Sequence, residues 1–246
     1  MSDFLIVTCE HGGNRVPAEY APLFRPHQRL LNSHRGYDPG ALDLARECAR
    51  GLKAPLHFST VTRLLVELNR SHGHRALFSA ITKSLPREDR EVLINKYYFP
   101  YRRSVEADIA TAIAAGSRVI HLSVHSFTPR LDGQLRRADI GLLYDPRRSH
   151  EATLCAAIKS TLRVLRPDLL CRMNYPYQGK SDGFTTALRK QFASRSYVGI
   201  EIEVNQKWPL GDRRAWRQLV RDLPRAIEAA CAICPPPKSR AAKLVR

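Results

Sequence analysis

The sequence contains no run of about 18 apolar residues, the length a helix needs to cross a bilayer, so an integral membrane protein is not expected. No Gly/Ser-rich linker or abrupt change of composition divides its 246 residues, and one domain over residues 1–234 is the expectation. The amino-terminal residues lack the basic stretch, hydrophobic region and small-residue cleavage site of a secretory signal; they read as a core strand, and cytoplasmic residence is the expectation. The six cysteines are scattered through a chain of ordinary core composition, which argues against a disulfide framework. Cys231 and Cys234 form a lone C-x-x-C without the second pair a zinc ribbon needs. Acidic residues are few: 23 against 40 Lys and Arg, a formal charge of +17. That excess suits an anionic substrate or a solvated basic face, since no helix-turn-helix, aromatic RNA-reading strand or zinc finger accompanies it. No specific nucleic-acid partner and no membrane partner are expected, and nothing in the sequence bears on oligomeric state. The run Pro235-Pro-Pro237 and the basic tail Lys238 to Arg246 read as a disordered end over 235–246.

What the chain does contain is apolar strands that end in chemistry. Phe4-Leu-Ile-Val-Thr-Cys9 leads into Glu10-His11-Gly12-Gly13-Asn14. Val119-Ile-His-Leu-Ser-Val leads into His125-Ser126-Phe127, and Tyr197 to Val204 is a third apolar strand, carrying Glu201 and Glu203. Leu56 to Thr60, Arg63 to Leu68 and Ile140 to Tyr144 read as further extended segments. Helical periodicity marks Gly40 to Leu52, with Asp38 and Pro39 as N-cap and N1, then Lys83 to Ala115 with a break at Pro100, His150 to Leu165, a short helix to Phe192, and Arg213 to Cys231. Strands alternating with helices imply an α/β fold, a mostly parallel or mixed central sheet with helices on both faces.

Strand ends are where α/β enzymes hold metal ligands rigidly while loops admit substrate. A hydrolytic zinc site takes three ligands from His, Asp and Glu and leaves a position for water. His11 and His125 are the nitrogen candidates, with His121, four residues earlier on the same strand face, read as packing or support. Arg63 and the adjacent Asn69-Arg70 suit a carboxylate, which a guanidinium grips through a planar fork. Glu201 and Glu203 are costly in an apolar strand unless they serve a salt bridge, a metal or catalysis.

In order and spacing these parts resemble zinc carboxypeptidases and succinylglutamate desuccinylases. Within that superfamily the chain is most similar to the N-formylglutamate amidohydrolase family, through Cys9-Glu-His-Gly-Gly-Asn-Arg-Val-Pro17, Glu67-Leu-Asn-Arg70, His125-Ser126 and Ile202-Glu-Val-Asn-Gln206. The resemblance runs from about residue 4 to 210. It implies a zinc carboxypeptidase-like (phosphorylase/hydrolase-like) fold and a hydrolase that cleaves N-formyl-L-glutamate, a small anionic N-acyl amino acid, with Zn2+ or another divalent metal. His11 and His125 would be ligands, Glu203 the base that passes a proton to the leaving amine, and Asn69 and Arg70 the carboxylate anchor, with Arg63 a further candidate. One departure is Asn14, which stands where carboxypeptidases carry a glutamate ligand three residues after the first histidine. The third ligand then falls to Asp38, on the Gly36-Tyr-Asp-Pro-Gly40 turn, or to Glu10; Glu201 is the alternative base. A deacylase or carboxypeptidase-like hydrolase of another N-acyl amino acid or peptide, and a non-catalytic basic binding protein of this fold, are the competing readings.

Overall fold

The computed structural model describes residues 2–236, so the expected disordered tail lies, apart from Pro235 and Pro236, outside the described residues. The strands are β1 (Asp3–Cys9), β2 (Leu56–Phe58), β3 (Arg118–Phe127), the small hairpin β4 (Arg130–Leu131) and β5 (Gln134–Leu135), β6 (Ile140–Leu143), β7 (Cys171–Met173) and β8 (Tyr197–Asn205). The helices are α1 (Ala21–Phe24), α2 (Gln28–Leu31), α3 (Ala41–Gly51), α4 (Ala80–Lys83), α5 (Arg87–Leu93), α6 (Phe99–Ala114), α7 (Ser149–Leu165), α8 (Phe184–Gln191) and α9 (Arg213–Ile233). Among the described residues no helix is long and apolar enough to cross a membrane.

Six strands form one sheet in the order β2-β1-β3-β8-β6-β7. Pairings are parallel except that β6 runs antiparallel to β8, so the sheet is mixed. Every residue of β3 and β8 is buried, as the near-continuous apolar runs of central strands require. Strand alternation divides the two faces. Ile120, Leu122 and Val124 of β3 enter a core with Leu44 of α3, Leu154 and Ile158 of α7 and Leu219, Leu223 and Ile227 of α9. Each fully buried aliphatic side chain of this kind contributes roughly 1.5–3 kcal/mol. On the opposite face Val119, Ile6 and Tyr197 pack against Val105 and Ile109 of α6 and Phe184 and Leu188 of α8. That second face also carries His121, Ser123 and His125, and it is there, at the carboxyl ends of the parallel strands, that open α/β sheets place ligands.

Two segments depart from the sequence reading. Arg63 to Leu68 forms turns rather than an extended strand. Its backbone donors go to loop partners, Arg63 N to Gly36 O and Glu67 N to Leu77 O, leaving no ladder for a neighbouring strand. Pro100 does not break the helical run from Arg87 to Ala114; it sits in the first turn of α6, where no N–H is needed, and a π-helical turn over Ile94–Tyr98 precedes it.

Candidate metal centre and catalytic cleft

Asp38 stands at the centre of the candidate site. Its Oδ2 lies 3.2 Å from His11 Nδ1 and 3.0 Å from His125 Nδ1. One donor atom from each of the three residues lies within 4.8 Å of the other two, and all three residues are buried. Asp38 is not the helix cap that its position suggests: α3 is capped by Gly40, at φ +78, without a side-chain hydrogen bond. The turn carrying Asp38 is tied to His11 by Asp38 N donating to His11 O at 2.9 Å, and to β3 by Ser126 Oγ donating to Pro39 O at 2.8 Å.

Each histidine is held from behind by a second carboxylate. His11 Nε2 meets Glu67 Oε1, and His125 Nε2 lies 3.2 Å from Glu10 Oε2. Glu10 also accepts from Ser123 Oγ and Tyr101 Oη, each at 2.9 Å. Arg63 donates through Nε to Glu67 Oε2 at 2.7 Å and through Nη1 to Asp38 Oδ1 at 3.2 Å. Burial opposes ionisation of Glu10, Glu67 and Asp38, but the hydrogen bonds and charges of His125, Arg63 and His11 respectively outweigh it, and all three carboxyls are held well below the usual range. With a metal bound, the carboxylate on each Nε2 would hold the ring proton there and leave Nδ1 free to act as the ligand.

This donor set fits a divalent metal. Bonds of about 2.0–2.1 Å at tetrahedral angles put neighbouring ligand atoms about 3.3 Å apart, close to the observed separations, and two imidazoles with one carboxylate suit zinc. Of the two candidates for the third ligand, Asp38 belongs to the cluster, whereas Glu10 faces the far side of His125.

The cluster opens into a cavity of about 540 Å³. Glu203, the parallel register partner of His125, lines it and is buried, and its Oε2 has no hydrogen-bond partner among the described residues. Burial pushes its carboxyl up to about 8. Glu201 also lines the cavity, but its Oε1 accepts from Thr185 Oγ1. Asn69 is engaged at both ends of its amide: Oδ1 accepts from Phe184 N at 2.6 Å and Nδ2 lies 3.3 Å from His125 Nε2. Arg70 lines the cavity and donates through Nη1 to Asp182 O. His121 takes no part in the cluster; it bonds Thr8 and Tyr197, and burial pushes it down to about 4. The supporting roles of Glu67, Ser123 and Tyr101 are absent from the sequence reading; only for Ser123, two residues before His125 on one strand face, did the alternation hold a signal.

The six cysteines are free, and burial pushes Cys231 up to about 12, which offers no support for redox chemistry at the C-x-x-C. No curated protein matches the chain in sequence. The fold is similar to that of a gene product of Agrobacterium tumefaciens, with 25% identity and a TM-score of 0.81 over 93% of this chain and 90% of that one. It is also similar to an N-formylglutamate amidohydrolase from Ralstonia eutropha JMP134, with 20% identity and a TM-score of 0.69 over 95% of each chain. The N-formylglutamate amidohydrolase family model matches residues 4–208, a span that includes the His11, Asp38, His125 and Glu203 positions, and the chain belongs to that family.

Proposed function

We propose that the protein is a metal-dependent amidohydrolase that cleaves N-formyl-L-glutamate to formate and glutamate. The observation that carries this reading is the convergence of His11 Nδ1, Asp38 Oδ2 and His125 Nδ1 in the cavity lined by Glu203, whose buried Oε2 has no partner among the described residues. His11, Asp38 and His125 would hold zinc or another divalent cation, which supplies a Lewis acid for the amide carbonyl and lowers the pKa of water.

The protein's own groups do the rest. Glu203, buried at the cavity wall with an Oε2 that has no partner among the described residues, is free to move a proton. It takes the proton from the attacking water at a carboxylate oxygen and delivers it to the leaving nitrogen, so one residue is base and then acid. Arg70 offers its guanidinium to the substrate α-carboxylate, and Asn69 holds the wall between Arg70 and His125. Arg63, committed to Asp38 and Glu67, keeps those carboxylates ionised.

Metal content by elemental analysis, paired with formate release from N-formyl-L-glutamate before and after chelation, tests the reading. One metal per chain with chelator-sensitive release is expected. Bound metal without release would turn the search to other N-acyl amino acids; a metal-free protein that stays inactive on zinc addition would overturn the hydrolytic reading.

A further inference from the structure

Three arginines line the cavity, and they are not equivalent. Arg63 has both ends of its guanidinium on carboxylates, Glu67 and Asp38. Arg70 has one nitrogen on a backbone carbonyl and no carboxylate partner among the described residues. Among the described residues Arg35 is bonded only through its backbone N–H, which donates to Ser33 Oγ at 3.2 Å, and it stands beside a second cavity-lining base, His34. The cavity thus presents two guanidinium groups with no carboxylate partner among the described residues, Arg35 being the more exposed of the two.

The Arg35 segment is also fixed relative to the metal cluster. Gly36, the next residue, donates to Ser33 O at 2.9 Å and accepts from Arg63 N at 3.2 Å and Thr62 Oγ1 at 2.9 Å. Asp38 follows two residues on. A side chain whose backbone is held this close to the ligand-bearing turn is placed to meet whatever part of the substrate extends away from the scissile bond.

We propose that Arg35, assisted by His34, is the specificity-determining residue for a second carboxylate, so that the cavity selects dicarboxylic N-acyl amino acids over those with neutral side chains. The proposal rests on the amidohydrolase reading and assigns it a residue: Arg70 takes the α-carboxylate and Arg35 the side-chain carboxylate. A guanidinium is suited to this because it forms paired, charge-assisted hydrogen bonds, and a substrate amide of the same shape cannot accept them equally.

The test compares kcat/KM for N-formyl-L-glutamate and N-formyl-L-glutamine, which differ in side-chain charge at nearly constant shape. Charge-assisted bonds of this kind give about 10- to 100-fold discrimination, so the wild type is expected to prefer the acid by that factor. Arg35→Gln should remove the preference by lowering kcat/KM for N-formylglutamate by about that factor, with a smaller loss on N-formylglutamine, and Arg35→Lys should restore part of it. Arg29→Gln, an exposed charge outside the cavity, controls for long-range attraction and should keep the preference. An unchanged preference in Arg35→Gln, an equal loss on both substrates, or the same loss in Arg29→Gln overturns the proposal. Binding of glutarate and of its monoamide is measured in parallel by calorimetry. If the wild type cleaves neither substrate, the hydrolytic reading fails on its own, and Arg35 is then judged by whether Arg35→Gln abolishes a preference for glutarate; no such preference, or one that survives, overturns the proposal.

Discussion

Glu10 Oε2 lies 3.2 Å from His125 Nε2, on the side of the imidazole opposite Asp38, whose Oδ2 is 3.0 Å from Nδ1. The ring is therefore gripped between an outer carboxylate and the centre of the cluster, and the same holds for His11 between Glu67 and Asp38. An outer carboxylate orients a histidine ligand and raises its basicity.

Replacement of that outer charge should weaken metal binding without touching a ligand. Glu10→Gln keeps the side chain's shape and its bond from Ser123, and it is expected to lower zinc affinity by about 10- to 100-fold in chelator competition. Unchanged affinity would show that Ser123 and the strand alone hold the His125 ring.

Glu203→Gln should cut turnover by about 10²- to 10⁴-fold while metal content stays at the wild-type level; loss of metal instead would make Glu203 a ligand. The same variant carries a stability signature in metal-free protein. A carboxyl raised to about 8 in the folded state keeps its proton across a range where the unfolded chain, near pH 4.3, has released it. The folded state then binds more protons, so this group's contribution is fully present below about pH 4 and is lost as pH rises toward 8. Thermal melts should therefore show Glu203→Gln gaining on the metal-free wild type between pH 5 and 8. A gap that does not widen would place the Glu203 carboxyl near its ordinary pKa.

His125 and Glu203 were legible in the sequence because a histidine or an acid in an apolar strand must be accounted for, and strand alternation put each on a definite face. The register that pairs them was not legible: it depends on β8 lying beside β3, a neighbour relation that no local pattern encodes. Glu67 went without a role for the same reason, since its partner His11 is 56 positions away. Arg63 to Leu68 has the apolar content of a strand but lies in turns, because Gly36 and Leu77 take the backbone bonds that a strand would have spent on a sheet. The three-residue β7 is too short to show a period, and the antiparallel entry of β6 is a matter of topology rather than composition. For Asp38 the sequence left two roles of similar weight, cap or ligand; the structure gives the cap to Gly40 and puts Asp38 Oδ2 between two imidazoles.

Gly40 fixes the turn that delivers Asp38. At φ +78 a Cβ would be strained in any surroundings, and here it would stand 2.4 Å from Pro209 Cβ. Gly40→Ala should therefore lower both the melting temperature and zinc affinity. Gly73→Ala is the matched control: it meets the same left-handed backbone, at φ +88, with nothing within 4 Å, so it should cost only about 1 kcal/mol of conformational strain and leave metal binding intact. Equal effects on metal binding in the two variants would mean that the Asp38 turn tolerates displacement.

Arg63 and Arg70 line one cavity seven positions apart, and their substitutions should fail in different ways. Arg63→Ala removes the counter-charge from Asp38 and Glu67, two buried carboxylates, and stranded charges of this kind cost about 3–5 kcal/mol. Metal-free Arg63→Ala should melt well below wild type, and added zinc should recover much of the difference, because a cation beside Asp38 replaces the missing charge. Arg70→Ala gives up only a bond to the Asp182 carbonyl, so its melting temperature should stay near wild type with or without zinc. Its loss belongs to the substrate: KM for N-formyl-L-glutamate should rise by about 10- to 100-fold, with little change for the corresponding α-amide. If instead Arg70→Ala responds to zinc as Arg63→Ala does, or loses both substrates equally, the division between a guanidinium that serves the metal cluster and one that serves the substrate is wrong.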